Sequence, residues 1–133
     1  MSWQDYIDGP NGLIAKGNNN IVNAGIFGIN GATWAQSGLE KLTHAELLEL
    51  AKLFDDPSTA HMNGFNLCGR QYALLRADDA IIHARGKCGE TNPLTVQKTK
   101  SAMVIGIGKT DGIPGQVSLA VSTISEHLVN YGY

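Results

Sequence analysis

The chain has only two cysteines, Cys68 and Cys88, and four histidines, His44, His61, His83 and His127. No histidine stands three or four residues from another histidine or from a cysteine. That spacing offers no zinc quartet and no metal site. There is no basic-then-apolar leader: the chain opens Met1-Ser2-Trp3-Gln4-Asp5-Tyr6, so no signal peptide is expected. Without a secretion signal the compartment is expected to be reducing and both cysteines to be thiols. No apolar run approaches the ~18–20 residues that a membrane span needs. Charge is also scarce, at 17% charged residues and a net charge of −2, so no overall basic field points to nucleic acid.

Catalytic signatures are absent as well. No serine, threonine or cysteine sits in a nucleophile motif such as Gly-x-Ser-x-Gly. The pairs Asp55-Asp56 and Asp78-Asp79 lie at element ends, where carboxylates cap and turn the chain. Gly106-Ile107-Gly108-Lys109-Thr110 is only superficially phosphate-binding. A P-loop needs glycine five residues before Gly108, and Met103 stands there. Asp111-Gly112-Ile113-Pro114 also intervenes where a helix should begin directly. These residues read as a strand ending in a turn. The expectation is a protein without enzymatic activity and without a cofactor.

What is present is enough to fold. Hydrophobic residues make up 43% of 133, which suits one domain with one core, spanning 1–133. Ser2 is expected to N-cap a short helix from Trp3 to Asp8, and Gly9-Pro10-Asn11-Gly12 to interrupt it. Leu13-Ile14-Ala15 resumes it for a turn. Segments 21–29 and 32–36 flank Asn30-Gly31, which predicts a hairpin with a type I′ turn and puts Trp34 on its second strand. Thr43 and Glu46 form a capping box for a helix through Phe54, with Leu42 and Leu47 as a hydrophobic staple. A meander of strands follows over 65–68, 71–77, 80–85, 94–99 and 102–109, with its first turn at Gly69-Arg70 and a loop over 110–115. Val117, Val121, Ile124 and Leu128 give the last helix its apolar face, and Ser118, Ser122, Ser125 and Glu126 its polar face. The fold class is α+β: an antiparallel sheet with helices packed on it.

Aromatic residues are few, 7%, but three of the four tyrosines and one of the two tryptophans sit at the chain ends. Trp3 and Tyr6 lie three residues apart on one helical face. Tyr131 and Tyr133 follow the last apolar helix position, where a core needs no further ring. If the ends pack together they form an aromatic patch. Such a patch stacks on proline rings, with Trp N–H and Tyr O–H groups reaching the carbonyls of a polyproline II helix. Arg76, Arg85, Lys87, Lys98 and Lys100 form the densest basic set, a solvated face or a contact for an acidic protein or anionic lipid.

The chain resembles the profilin family over its whole length. The resemblance rests on the opening Met-Ser-Trp-Gln-x-Tyr, on Trp34-Ala35-Gln36-Ser37, and on His127-Leu128 with the final Tyr133. Val96-Gln97-Lys98-Thr99, Ile105-Gly106-Ile107 and Pro114-Gly115-Gln116 add to it. It implies a profilin-like central antiparallel sheet, with N- and C-terminal helices on one face and shorter helices on the other. It also implies a monomeric, cytoplasmic protein of the cytoskeleton that binds monomeric actin, proline-rich proteins such as formin-type nucleation factors, and, weakly, phosphoinositide headgroups. Nucleic acid is not an expected partner. The resemblance assigns polyproline binding to Trp3, Tyr6, Trp34, His127, Leu128 and Tyr133. It assigns actin binding to Gln71, Ala73, Leu75, Arg76, Arg85, Ile113, Gly115, Ser118 and Thr123, and phosphoinositide binding to Arg85 and Lys87. Leu119 and Gln71 stand where some members carry lysine, and Gly9-Pro10 breaks a region that is usually one helix. The alternative is a module for anionic lipid and proline-rich peptide with weak or no affinity for actin.

Overall fold

The computed structural model describes residues 3–10, 12–17, 20–56, 58, 62, 64–78, 80–86, 92–110 and 112–133. Among the described residues, seven strands form one antiparallel sheet: β1 (Ile21–Gly28), β2 (Thr33–Ser37), β3 (Phe65–Leu67), β4 (Arg70–Ala77), β5 (Ile81–Gly86), β6 (Pro93–Lys98) and β7 (Ala102–Gly108). Their spatial order is β2-β1-β7-β6-β5-β4-β3. The β1–β7 pairing, with Ile26 opposite Val104, joins the first hairpin to the meander. Because strand side chains alternate, each central strand feeds two cores. On β7, Met103, Ile105 and Ile107 face one core, and Ala102 and Val104 face the other.

The first core is closed by α3 (His44–Leu53) through Leu47, Leu50 and Phe54. The capping box stands as expected: Thr43 Oγ1 accepts from the Glu46 N–H at 3.1 Å, and Glu46 Oε1 accepts from the Thr43 N–H at 3.1 Å. The second core is closed by α1 (Asp5–Asp8), α2 (Leu13–Lys16) and α4 (Pro114–Asn130). Helix α4 packs on β6 and β7 and against α2. It approaches closely because β7 carries Gly106. A Cβ there would stand 2.6 Å from a Val121 methyl, so the glycine of the apparent phosphate motif serves packing.

Several local expectations need correction. Helix α1 starts at Asp5 rather than Trp3, with Gln4 in the cap position. The first hairpin does not use a type I′ turn, which needs positive φ at both central residues. Only Gly31 is left-handed there, at +90°, while the Asn30 side chain accepts from the Ala32 N–H and makes a four-residue connection. The paired positive φ occurs instead at Cys68 (+55°) and Gly69 (+76°), so the β3–β4 turn lies one residue earlier than expected. Pro114 and Gly115 open α4 rather than closing the preceding loop, and proline at the first helical position loses no intrahelical bond. Ser125 is buried, not on the polar face. Its hydroxyl donates to the Val121 carbonyl at 2.7 Å, which satisfies it inside the core.

Candidate functional site: an aromatic platform and an open sheet face

The two ends of the chain meet on α4's side of the sheet. Trp3 precedes α1, Tyr6 lies within it, Trp34 is on β2, and His127 lies in the last turn of α4. The Trp3 ring is 4.8 Å from Trp34, 5.7 Å from Tyr6 and 4.9 Å, edge to face, from Tyr133. Trp34 and Tyr133 are also edge to face, at 6.2 Å. Tyr6 continues the set to His127, with centroids 5.4 Å apart and 3.2 Å between the phenol oxygen and His127 Nε2. The edge-to-face pairs are a favoured arrangement of aromatic quadrupoles, and all of the centroid separations fall in the range of interacting rings. The rings form a connected surface, half-buried at Trp3, Tyr6, Trp34 and His127.

The floor beneath is fully buried and apolar. Ile7, Leu13 and Leu128 are each 0% exposed and pack with the partly buried Trp3, Tyr6 and Trp34. Leu128, assigned to the groove by resemblance, therefore sits under the rings rather than among them. The Gln4 side-chain amide donates to the Gln36 carbonyl at 3.0 Å and to Asp8 Oδ2 at 2.9 Å, which ties α1 to β2.

Tyr133 is placed by backbone geometry. Gly132 is left-handed, at φ +87°. The Gly132 N–H donates to the Val129 carbonyl at 3.0 Å and the Tyr133 N–H to the Leu128 carbonyl at 2.9 Å. This pair of bonds is the Schellman closure of a helix C-terminus. It folds Tyr133 back, and the Tyr133 backbone oxygen then accepts from the Ser101 N–H (2.8 Å), the Ser101 hydroxyl (3.0 Å) and the Thr99 hydroxyl (2.9 Å). Sequence reasoning missed Gly132, Thr99, Ser101 and Gln4. A glycine just past the last apolar helix position was the available signal for the first.

The second surface exists because the helices stop short. Helices α1 and α2 lie over β1 and β2, and α4 over β6 and β7. On β4 and β5, Tyr72, Leu74, Ile82 and Ala84 face the α3 core. The alternate residues Gln71, Ala73, His83 and Arg85 consequently face the same side as α4. Ala73 is opposite Arg85 and Arg76 opposite His83, with a bulge that leaves Leu75 unpaired and 59% exposed. Arg76, His83, Pro114, Gly115 and Ser118 line a shallow depression of about 320 Å³ between this face and the start of α4. Three residues assigned by resemblance to actin contact, Arg76, Gly115 and Ser118, thus converge there. Ile113 is exposed beside it. Gln71, Ala73 and Arg85 extend the face along the strands, and Thr123 is exposed further along α4.

The basic set does not converge as a whole. Lys98 turns to the opposite side of the sheet, 5.9 Å from the Phe54 ring centroid. Lys87 and Cys88 lie outside the described residues. His83 was not singled out from the sequence, although it stands two residues before Arg85 on the same strand face. Burial lowers its pKa, Arg76 lowers it further, and Asp78 partly opposes them. Asp78 is itself held low by N–H bonds from Ala80 and Ile81, both 2.8 Å. Among the described residues, no group of three or more His, Cys, Asp or Glu side chains is placed to hold a metal ion, and no helix is long and apolar enough to cross a membrane.

The family model described as Profilin matches residues 1–133. Profilin-2 of Acanthamoeba castellanii is 35% identical over 133 residues, the full length of both chains. The solved structure of profilin IB from the same organism shares 33% identity, covers 99% of this chain and 100% of its own, and superposes with a TM-score of 0.85. Mouse profilin IIa, solved in complex with a double repeat from the FH1 domain of mDia1, is 20% identical, with full coverage of both chains and a TM-score of 0.84, and shares the fold. With a sheet, helix placement and full-length match of this kind, the chain belongs to the profilin family, non-enzymatic proteins that bind actin and polyproline.

Proposed function

We propose that this protein carries proline-rich segments on its aromatic platform while holding monomeric actin on the open face of β4, β5 and α4, so that proline-rich nucleation factors deliver actin monomers to filament ends in the cytoplasm. The observation that carries the reading is the ring surface assembled from Trp3, Tyr6, Trp34, His127 and Tyr133. It combines apolar faces with N–H and O–H donors, which suits a polyproline II helix whose carbonyls are unpaired. The FH1 complex of mouse profilin IIa supports a formin-type partner. Exposed Leu75, Ile113 and Leu119, beside Arg76 and Arg85, give the open face the mixed apolar and basic character of a protein contact. Phosphoinositide headgroups compete with actin through Arg85, which lies on this face, and through Lys87 of the basic cluster. At a net charge of −2 their binding is weak and screened by salt.

Titration with oligoproline, followed by tryptophan fluorescence, and with monomeric actin tests both halves. Trp3→Ala should weaken oligoproline binding by about 1–3 kcal/mol, the scale of an aromatic anchor, and leave actin binding unchanged. Arg85→Glu should weaken actin binding through charge reversal and leave oligoproline binding unchanged. Unchanged oligoproline affinity in folded Trp3→Ala, or equal loss of both ligands in Arg85→Glu, would overturn the two-surface reading. Bisphosphate-containing vesicles should compete with actin at low salt only. If they bound while actin did not, the protein would be a lipid and proline-rich peptide module instead.

A further inference from the structure

The two tyrosines around Gly132 take different directions. Tyr133 folds back onto Trp3 and Trp34. Tyr131 stays with α4, its ring 4.8 Å from His127 at an interplanar angle of 51°. This is an i,i+4 contact on one helix face. His127 in turn packs on Tyr6. Tyr131 is thereby joined to the set of rings through His127. It is 69% exposed, so it removes little area from water and contributes little to the core. A large ring packed on His127 and largely open to solvent is placed for contact rather than for packing.

We propose that Tyr131 forms an additional subsite for the proline-rich ligand, so that this protein engages a longer polyproline II segment than the Trp34-to-His127 rings alone would hold. The inference rests on the platform being the proline-rich site. From Trp34 through Trp3 and Tyr6 to His127 the ring-to-ring steps are 4.8, 5.7 and 5.4 Å. At ~3.1 Å per residue, that path spans at most about five residues of polyproline II, and the Tyr131 step of 4.8 Å adds at most about one to two more. The exposed ring face accepts a prolyl ring, and the phenol O–H donates to a ligand carbonyl.

The distinguishing quantity is dependence on ligand length. Oligoprolines of about five and about ten residues, spanning ~16 and ~31 Å, are titrated against the native protein and against Tyr131→Ala, Tyr131→Phe and Trp3→Ala. Tyr131→Ala should lower affinity for the longer peptide about 3- to 10-fold and change that for the shorter by less than about twofold. Tyr131→Phe, which keeps the ring, should retain most of the affinity for the longer peptide. An equal loss for both lengths, or no loss for either, overturns the subsite. Trp3→Ala should lose both peptides, and if it loses neither, the platform reading itself fails. Because Tyr131 is exposed and its backbone bonds survive substitution, the variants test the contact rather than folding.

Discussion

At the scale of single residues, His83 shows how a side chain's surroundings set its chemistry. Its imidazole is partly buried on the open face beside Arg76, and both conditions oppose a second positive charge. Its pKa in the folded protein therefore lies below the ordinary value of about 6.5. Between the folded and unfolded values the unfolded chain binds more protons, so folding stability rises with pH through that window. The penalty is absent above about pH 6.5 and fully developed below the folded pKa. An NMR titration of the imidazole should give a midpoint below about 6.5. Arg76→Gln should raise it only in part, because burial is the larger cause. A midpoint at or above the ordinary value would remove this account. Arg76 and Asp78 were visible as charges in the sequence, but only the β4 bulge places Arg76 opposite His83.

At the scale of elements, helix ends do most of the positioning. The Thr43–Glu46 capping box was legible because its partners lie three residues apart, and it formed as read. Thr43→Ala should cost about 0.5–2 kcal/mol in denaturant unfolding and leave oligoproline affinity unchanged, since α3 closes the opposite core. The C-terminal end of α4 behaves differently, because its closure also aims Tyr133. Gly132 has no atom within 4 Å of where a Cβ would stand, so a substitution there meets strain rather than a clash. Gly132→Ala should cost about 1–2 kcal/mol from the left-handed backbone and weaken oligoproline binding at the same time. A stability loss without any loss of binding would show that Tyr133 does not depend on the Schellman closure.

At the scale of the whole molecule, the platform is assembled from both ends of the chain and from β2, and the turn between β6 and β7 anchors it. Thr99 accepts from the buried Ala102 N–H at 3.1 Å and donates to the Tyr133 backbone oxygen at 2.9 Å. Thr99→Val keeps the shape and removes both bonds. It should cost about 1–3 kcal/mol, mainly for the unpaired buried N–H, and reduce oligoproline affinity although Thr99 is not among the rings. Calorimetric unfolding with parallel peptide titration checks both. Stability lost with full affinity retained would mean that Ser101 alone holds Tyr133.

The sequence by itself determined the elements whose causes are local. Period-2 and period-3.6 hydrophobicity, a capping box three residues long and a proline-glycine interruption between α1 and α2 depend on neighbours along the chain. It also marked Trp3, Tyr6, Tyr131 and Tyr133 by their place at the chain ends, where rings beyond the last core position needed another reason to be there, while Trp34 and His127 joined them only through the family resemblance. Only the tertiary structure decided where turns fell by one residue, as at Cys68-Gly69, since competing turn geometries differ little until strand register is fixed. It also decided that Leu128 lies beneath the platform and that Lys98 leaves the basic set. It decided that Gly106, already unsuited to a P-loop by its spacing, makes room for Val121 of α4. Those outcomes depend on contacts between residues far apart in the chain, which no local pattern encodes.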